Sequence, residues 1–137
     1  MKYPLSILFL FLIGCQSQSS LEPQHLVGQW QADSLYSFDN GFEFMHPYLG
    51  TGQVYTYAEN GKVSEVKDGL KQEFLYEIQG EDSLILRAPD GNIRGRYKIL
   101  EISPIRMALK KNKKPWFTSK NQEMYNILYL SKKINPQ

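Results

Sequence analysis

The sequence is poor in the residues that most often carry reactions or cross-links. Its 137 residues include one cysteine, Cys15, and two histidines, His25 and His46. A single thiol cannot form a disulfide within the chain, so we expect burial alone to stabilise the fold. Neither histidine has a second imidazole, a thiol or a carboxylate cluster at the spacing of metal ligands. No serine elbow or Gly-Lys-Ser/Thr phosphate loop is present. The sequence therefore favours a protein without catalytic activity, metal or cofactor.

Helix-forming patterns are also scarce. Alanine is rare, no stretch keeps a helical periodicity, and there is no βαβ alternation, repeat or domain linker. Aromatic residues are plentiful, with nine tyrosines, seven phenylalanines and two tryptophans. Aromatic side chains favour strands. The composition predicts one all-β domain with a single core.

An apolar run stands at the N-terminus. Lys2 precedes apolar residues 5–13, and Gly14 and Cys15 follow them. A transmembrane helix needs about 20 apolar residues, which is more than this run supplies. The pattern predicts a cleaved N-terminal signal helix, residues 1–14.

The residues around Cys15 resemble the lipobox of bacterial lipoproteins. The matching residues are Leu12, Ile13, Gly14 and Cys15. The resemblance implies that the Cys15 thiol receives a diacylglyceryl group and that further acyl chains, such as palmitate, complete a membrane anchor. Each buried methylene contributes about 0.8 kcal/mol, so two or three chains anchor firmly. Residues 15–25 are then a lipidated tether and residues 26–137 the folded domain. The alternative is an accidental free thiol beside an ordinary secretory cleavage site.

The residues directly after Cys15 indicate to which membrane, and to which side of that membrane, the lipoprotein would be sorted. Gln16 stands where an inner-membrane retention signal would place an aspartate. Surface-exported lipoproteins of Bacteroidetes carry acidic residues directly after the cysteine, whereas the first acid here is Glu22. The resemblance therefore implies the bacterial outer membrane, with the domain facing the periplasm. Nucleic acid is not an expected partner there.

Charge is distributed unevenly along the chain. Residues 16–86 hold three lysines against eleven acids, and residues 87–137 hold twelve basic residues against three acids. Such asymmetry can mark a polar interaction face. It can equally be neutralised where early and late strands pair in a closed sheet, which is the interpretation we favour.

Turn signals separate eight predicted strands. A flat meander of eight strands would expose two edges, and closure into a barrel removes both. We therefore predict an eight-stranded antiparallel up-and-down barrel with a bulge near Leu100. The predicted strands are residues 27–38, 54–59, 62–67, 70–79, 83–88, 93–102, 105–110 and 124–130.

One hairpin allows a specific register prediction. Asn60-Gly61 is typical of a two-residue type I′ turn. In that register Tyr55 and Tyr57 share one face of the ribbon, and Val63 and Glu65 lie on the other.

The predicted inward-facing side chains are mostly aromatic or aliphatic. They are Trp30, Tyr55, Tyr57, Phe74, Tyr76, Leu84, Leu86, Tyr97, Ile99, Met107 and Leu109. A small barrel of this kind is either filled by side chains or holds one small ligand. The sequence leaves both functions open: binding of a small apolar ligand, or a non-catalytic scaffold or accessory subunit with a filled barrel that acts through its outer surface on an unknown partner. The candidate ligand contacts are Trp30, Tyr55, Tyr57, Phe74, Tyr76, Tyr97 and Met107.

Gly28-Gln29-Trp30 follows a short helical turn and matches the G-x-W motif of lipocalins. Residues after 25 are also similar to lipocalin-like lipoproteins of Bacteroidetes. The resemblance implies a barrel whose closed end is plugged by Trp30. The Thr-Asp-Tyr signature of larger lipocalins is missing, and no arginine on the last strand covers the tryptophan, so we expect Lys132 or Lys133 in its place. The further matching residues are Leu26, Tyr55, Tyr57, Asn60, Gly61, Tyr76, Ile78, Gly80, Leu84 and Leu86.

Two surface segments are candidates for a role outside the barrel. Residues 42–48 are rich in aromatics and stand where lipocalins place a flap over the mouth; the alternative is that these aromatics complete the core. Residues 110–117 combine lysines with Trp116 and Phe117. This basic segment suits an anionic membrane surface or an acidic partner, but we favour a charged hairpin loop without a function.

Overall fold

The computed structural model describes residues 22–48, 52–117 and 122–134. The predicted signal helix and the predicted lipidation site, Cys15, lie outside these residues. A 3₁₀ turn at Pro23–Leu26 precedes nine strands. The strands are β1 (Gly28–Asp39), β2 (Phe42–Pro47), β3 (Val54–Tyr57), β4 (Lys62–Lys67), β5 (Leu70–Gln79), β6 (Ser83–Arg87), β7 (Ile93–Ile102), β8 (Arg106–Asn112) and β9 (Met124–Lys132).

Eight of these strands close into an antiparallel barrel, which confirms the predicted fold. From β3 to β9 each strand pairs with the next, and β1 closes the ring by pairing with both β3 and β9. Strand β1 is 12 residues long. Its first half pairs with β3 and its second half pairs with β2 along the same edge. In the described part of the chain, no helical segment has the length and hydrophobicity that crossing a bilayer requires.

Strand β2 was not among the predicted strands, since its residues were expected to form a connection. Asn40 and Gly41 have φ values of 52° and 95°. Asp39 and Phe42 pair directly across them, so Asn40-Gly41 forms a two-residue turn. The turn sends residues 42–47 back along β1 as a strand with one neighbour. The result is a hairpin that extends one wall of the barrel.

The predicted register of the β3–β4 hairpin is wrong by one residue. The Ala58 amide donates to the Lys62 carbonyl (2.8 Å), so the loop between them has three residues. Gly61 has positive φ (79°) but Asn60 does not, which fits a turn ending in a glycine bulge rather than a type I′ turn. Tyr57 therefore pairs with Val63, and Tyr55 with Glu65. Because alternate residues face opposite sides, Val63 and Glu65 turn inward beside the two tyrosines.

The core confirms the inward-facing set predicted from the sequence: every member is buried or packed against the buried cluster. Trp30 is fully buried, and its indole N–H donates to the carbonyl of Leu26 (2.7 Å). The Lys132 ammonium lies 5.0 Å from the Trp30 ring and donates to the His25 carbonyl (3.0 Å). Lys132 thus occupies the position expected for the missing arginine.

The predicted bulge and the predicted charge pairing are both present. The β7–β8 register shifts between Ile99 and Glu101, next to Leu100. Pairing of β1 with β9 brings Asp39, at the end of β1, next to the β8–β9 loop. Lys113 and Asp39 form an ion pair of 2.7 Å there, with both side chains mostly buried. Closure of the sheet therefore brings the two ends of the uneven charge distribution together.

Candidate ligand site at the mouth of the barrel

One half of the barrel interior is filled by side chains. Trp30, Tyr57, Leu84, Met107 and Leu130 are almost completely buried in this half. Leu26 of the 3₁₀ turn covers the end next to Trp30. The turns after β3, β5 and β7 lie at this closed end, because successive antiparallel strands reverse direction. A ligand therefore has no room beside Trp30.

The opposite end of the barrel holds a cleft of about 610 Å³. Strands β4 to β7 and the β6–β7 turn form its walls. This volume is in the range of sites that hold small organic ligands. The lining residues are Glu65, Gln72, Glu73, Phe74, Leu86, Ala88, Pro89, Arg94 and Tyr97.

Tyr97 owes its position in the cleft to a glycine two residues earlier. A Cβ on Gly95 would lie 2.5 Å from Cε2 of Tyr97 and 3.0 Å from its hydroxyl oxygen. The tyrosine ring therefore lies across the backbone of Gly95, which is buried beneath it. Phe74 and Leu86 come from the neighbouring strands and complete an apolar wall.

Glu65 is the acidic group of the cleft that faces inward from β4. Gln53 and Tyr55 both donate hydrogen bonds to its Oε1 atom, Tyr55 at 3.4 Å. In residues 22–48, 52–117 and 122–134, no partner is present for its Oε2 atom. Glu65 is half-buried and lines the cleft, and its Oε2 atom is not sealed from solvent.

The tyrosines around Glu65 are held in their protonated form. Burial, and next the charge of Glu65, raise the pKa of Tyr55 well above its ordinary value near 10. The same two causes raise the pKa of Tyr97. Burial, then Tyr97 and Glu65, raise the pKa of Tyr57. These hydroxyls are therefore neutral hydrogen-bond donors at physiological pH.

Further polar groups line the inner face near the mouth. Lys111 pairs with Asn126, and Asn126 accepts a hydrogen bond from the Ser37 hydroxyl (2.9 Å). The Lys111 ammonium lies 5.4 Å from the ring centre of Tyr97. The open end thus combines aromatic faces with charged groups inside the barrel, whereas the interior of the filled half is mostly apolar.

The predicted ligand contacts divide between the two halves of the barrel. Phe74 and Tyr97 line the cleft, and Tyr55 reaches Glu65 beside it. The Tyr76 hydroxyl donates to the Ala58 carbonyl (2.6 Å), and its ring meets Tyr57 edge-on. The remaining predicted contacts belong to the filled half: Trp30, Tyr57 and Met107. Contact with a ligand stays a prediction for all seven residues.

Three residues of the cleft region were not predicted from the sequence: Gln53, Glu65 and Gly95. Glu65 was placed on the outer face because a two-residue turn was assumed at Asn60-Gly61. Gly95 carried a usable signal, since an isolated glycine within a strand pattern marks a bulge or a close approach. Gln53 precedes β3 and follows no pattern that we can identify.

The two predicted surface segments are also at the open end. The β1–β2 hairpin and the β8–β9 loop touch where the Asn40 amide donates to the Glu123 carbonyl (2.9 Å). Phe42 is 69% exposed and Trp116 is 71% exposed. The alternative that residues 42–48 complete the core is therefore wrong, except for Tyr48, which packs against it, and a flap over the mouth stays a prediction.

The described parts of the chain contain no group of three His, Cys, Asp or Glu side chains that could hold a metal ion. Comparison of the sequence with protein-family models and with curated proteins finds no match.

Proposed function

We propose that this protein is a membrane-anchored, lipocalin-like lipoprotein that binds a small ligand with an apolar body at the mouth of its barrel. The observation that carries the proposal is the cleft of about 610 Å³ above a filled half. A small barrel with a packed base and an open mouth can hold one small ligand. The protein acts as a carrier or sensor, without catalysis.

The cleft supports this function through its composition. Phe74, Leu86 and Tyr97 offer an apolar wall, and Glu65 adds a polar group beside it. Ligand sites typically combine an apolar lining with a few placed polar groups that fix orientation. The filled half prevents passage through the barrel, so the ligand enters and leaves by the mouth.

The membrane anchor rests on the lipobox at Cys15. The chain enters the barrel through the 3₁₀ turn at Pro23–Leu26, which lies at the closed end. A tether from Cys15 thus joins the domain at the end away from the mouth. The ligand site then faces the periplasm rather than the bilayer that holds the anchor.

Ligand binding is tested by native mass spectrometry of the protein purified from its host. The expected result is a defined mass increment in the wild type and its loss in Leu86→Trp, because the larger side chain fills the cleft. Leu75→Trp is the matched control, since Leu75 lies on the outer face of β5 and is 43% exposed. A mass increment that persists in Leu86→Trp would contradict the proposed site. So would a wild-type protein that shows no mass increment.

The anchor is tested by membrane fractionation without detergent and by incorporation of labelled palmitate. Cys15→Ala is expected to release the protein from membranes and to abolish labelling. Membrane association that persists in this variant argues against lipidation at Cys15.

A second function, that of a scaffold acting through its outer surface, is supported by β2. Among the described residues this strand has one neighbour, β1, and it carries exposed Phe42, Phe44 and Met45. An unpaired edge with exposed apolar side chains can pair with another chain. A photo-crosslinker at Phe44, compared with one at Glu81 in the β5–β6 turn, tests this function. A defined protein adduct at Phe44 alone, together with no mass increment in the native spectrum, favours the scaffold.

A further inference from the structure

We infer that the ligand of the mouth cleft carries an organic cation, an amine or a quaternary ammonium group, which binds between Glu65 and the rings of Tyr55, Phe74 and Tyr97. This inference rests on the proposed ligand-binding function and names the chemical class of the ligand. The cation would bind deep in the cleft, and the apolar body of the ligand would lie along Phe74 and Leu86.

The first argument is that Glu65 lacks a cationic partner. In the described residues, no lysine, arginine or histidine nitrogen lies within 4.0 Å of its carboxylate. Nearby acids differ in this respect: Glu73 is paired with Lys71 at 3.0 Å, and Glu77 with Arg87 at 2.7 Å. Glu65 is also less exposed than an ordinary surface acid, so its charge is screened less by water.

The second argument is that neutral donors hold this carboxylate in place. Gln53 is buried, and it and Tyr55 both bind Oε1. Oε2 accepts no hydrogen bond from the described residues. A carboxylate that is fixed in this way is positioned before the ligand arrives, so less side-chain entropy is lost on binding.

The third argument is the set of aromatic faces around Glu65. Cations bind over aromatic rings within about 6 Å of the ring centre, and quaternary ammonium groups are recognised by several rings together. The Tyr97 ring already has a cation of this chain nearby, because the Lys111 ammonium lies 5.4 Å from the ring centre. Burial and the charge of Glu65 raise the pKa of Tyr97, so the ring stays neutral at physiological pH.

Two positively charged side chains near the cleft favour an anionic ligand instead, and the experiment must distinguish this alternative. Arg94 lines the cleft from the beginning of β7, and Lys111 approaches it from β8. Two strands, β5 and β6, separate Arg94 from Glu65 on β4. An anionic ligand would use Arg94 and Lys111 and avoid Glu65. The sign of the preferred charge therefore distinguishes the two arrangements.

The experiment compares three probes of equal chain length: octyltrimethylammonium, octanoate and 1-octanol. Amide chemical shifts of the folded domain, followed by NMR during titration, report both affinity and location. We expect octyltrimethylammonium to bind about fivefold to tenfold more tightly than 1-octanol. Shift changes are expected at Glu65, Phe74 and Tyr97.

Glu65→Gln keeps the size of the side chain and an acceptor oxygen for Gln53 and Tyr55, but it removes the negative charge. It is expected to abolish the preference for the cation, measured as the ratio of the affinity for octyltrimethylammonium to the affinity for 1-octanol. Glu81→Gln, at the closed end, is the charge-matched control and is expected to keep the preference. Tyr97→Leu keeps an apolar wall without an aromatic face, so it is expected to lower the ratio of the affinity for octyltrimethylammonium to the affinity for 1-octanol. The amide spectrum of each variant verifies its fold.

The outcomes separate the two proposals. Equal binding of the cation and 1-octanol in the wild type, or tighter binding of octanoate, overturns the inference about charge but leaves a ligand site at the mouth. A preference that persists in Glu65→Gln overturns the role of Glu65. Absence of binding by all three probes, combined with no mass increment in the native spectrum, contradicts the proposed function itself.

Discussion

At the scale of single residues, the closed end depends on three side chains and one glycine. The Leu26 carbonyl accepts a hydrogen bond from the indole N–H of Trp30, and the Lys132 ammonium lies 5.0 Å from the Trp30 ring. Gly28 has φ of 128°, and a Cβ there would lie 2.5 Å from Cε of Lys132. A glycine is therefore favoured at this position of the G-x-W motif for two physical reasons: the backbone conformation is strained for other residues, and the Lys132 side chain occupies the space of a Cβ.

Gly28→Ala is expected to destabilise the fold by about 1–3 kcal/mol, because this backbone conformation is strained for any residue with a Cβ. Displacement of Lys132 adds to this loss. Gly69→Ala is the control, since Gly69 also has positive φ (78°) but nothing lies within 4 Å of its Cβ position. Urea unfolding followed by tryptophan fluorescence measures both variants. Equal losses would show that the contact with Lys132 has no energetic effect.

The buried tyrosines predict a loss of stability in alkali. Burial, followed by nearby groups, raises the pKa of Tyr55 and Tyr57 above the unfolded value of about 10. The folded state therefore holds these protons more tightly than the unfolded state does. Their contribution to stability is complete below pH 10 and is lost as the pH rises above it, by about 1.4 kcal/mol per pH unit for each tyrosine.

Urea unfolding between pH 8 and pH 11.5 tests this dependence. Tyr55→Phe is expected to reduce the slope above about pH 10, because the phenylalanine has no proton to lose. Tyr129→Phe, at an exposed position on β9, is the control and should keep the wild-type slope. Identical slopes in wild type and Tyr55→Phe would contradict the argument.

At the scale of strands and turns, the hairpins decide which residues line the interior. Asn-Gly occurs twice, and the two copies behave differently. Asn40-Gly41 connects β1 and β2 as a two-residue turn, with positive φ at both residues. Asn60-Gly61 belongs to a three-residue loop, with positive φ at the glycine alone. The dipeptide therefore predicts a hairpin reliably but does not determine its loop length.

The β1–β2 hairpin is held against the β8–β9 loop by the ion pair of Asp39 and Lys113. Both side chains are mostly buried, at 17% and 26% exposure. A double-mutant cycle with Asp39→Asn and Lys113→Met, measured by urea unfolding, is expected to give a coupling energy of about 0.5–1 kcal/mol. A coupling energy of zero would mean that the ion pair does not stabilise this contact.

The sequence was sufficient for the eight strands of the barrel, for their order, and for the inward-facing residues outside β4, because alternation of side chains has a period of two and each turn has a local signal. Trp30, Leu84 and Met107 lie inside as predicted. The sequence was not sufficient to predict that Glu65 faces inward, because the length of the β3–β4 loop decides which side chains of β4 face the interior. It also missed β2: residues 42–47 are exposed on both faces and show no alternation to mark them.

At the scale of the whole molecule, closure of the sheet combines a rigid base with a less supported rim. Strand β1 has neighbours along both edges, whereas β2 has a neighbour along one. The filled half lies around Trp30, and the cleft lies at the other end. Stability is therefore unevenly distributed along the barrel axis.

Hydrogen exchange followed by NMR tests this distribution. Backbone amides of Trp30 and Leu130 are expected to exchange more slowly than those of Phe44 and Met45, by a factor on the order of 100 or more, because exchange from a supported core strand requires wider opening. Uniform protection along β1 and β2 would indicate that the hairpin unfolds together with the barrel.

The three-residue loop at Asn60-Gly61 has an evolutionary consequence. Removing one residue from this loop would exchange the two faces of β4, so that Ser64 and Val66 would turn inward and Glu65 would meet solvent. Under the proposed function, a single codon deletion, with no amino-acid replacement, would thereby convert a cleft with an inward carboxylate into one without it. Among homologues, the length of this loop would then predict ligand charge better than the identity of any one side chain.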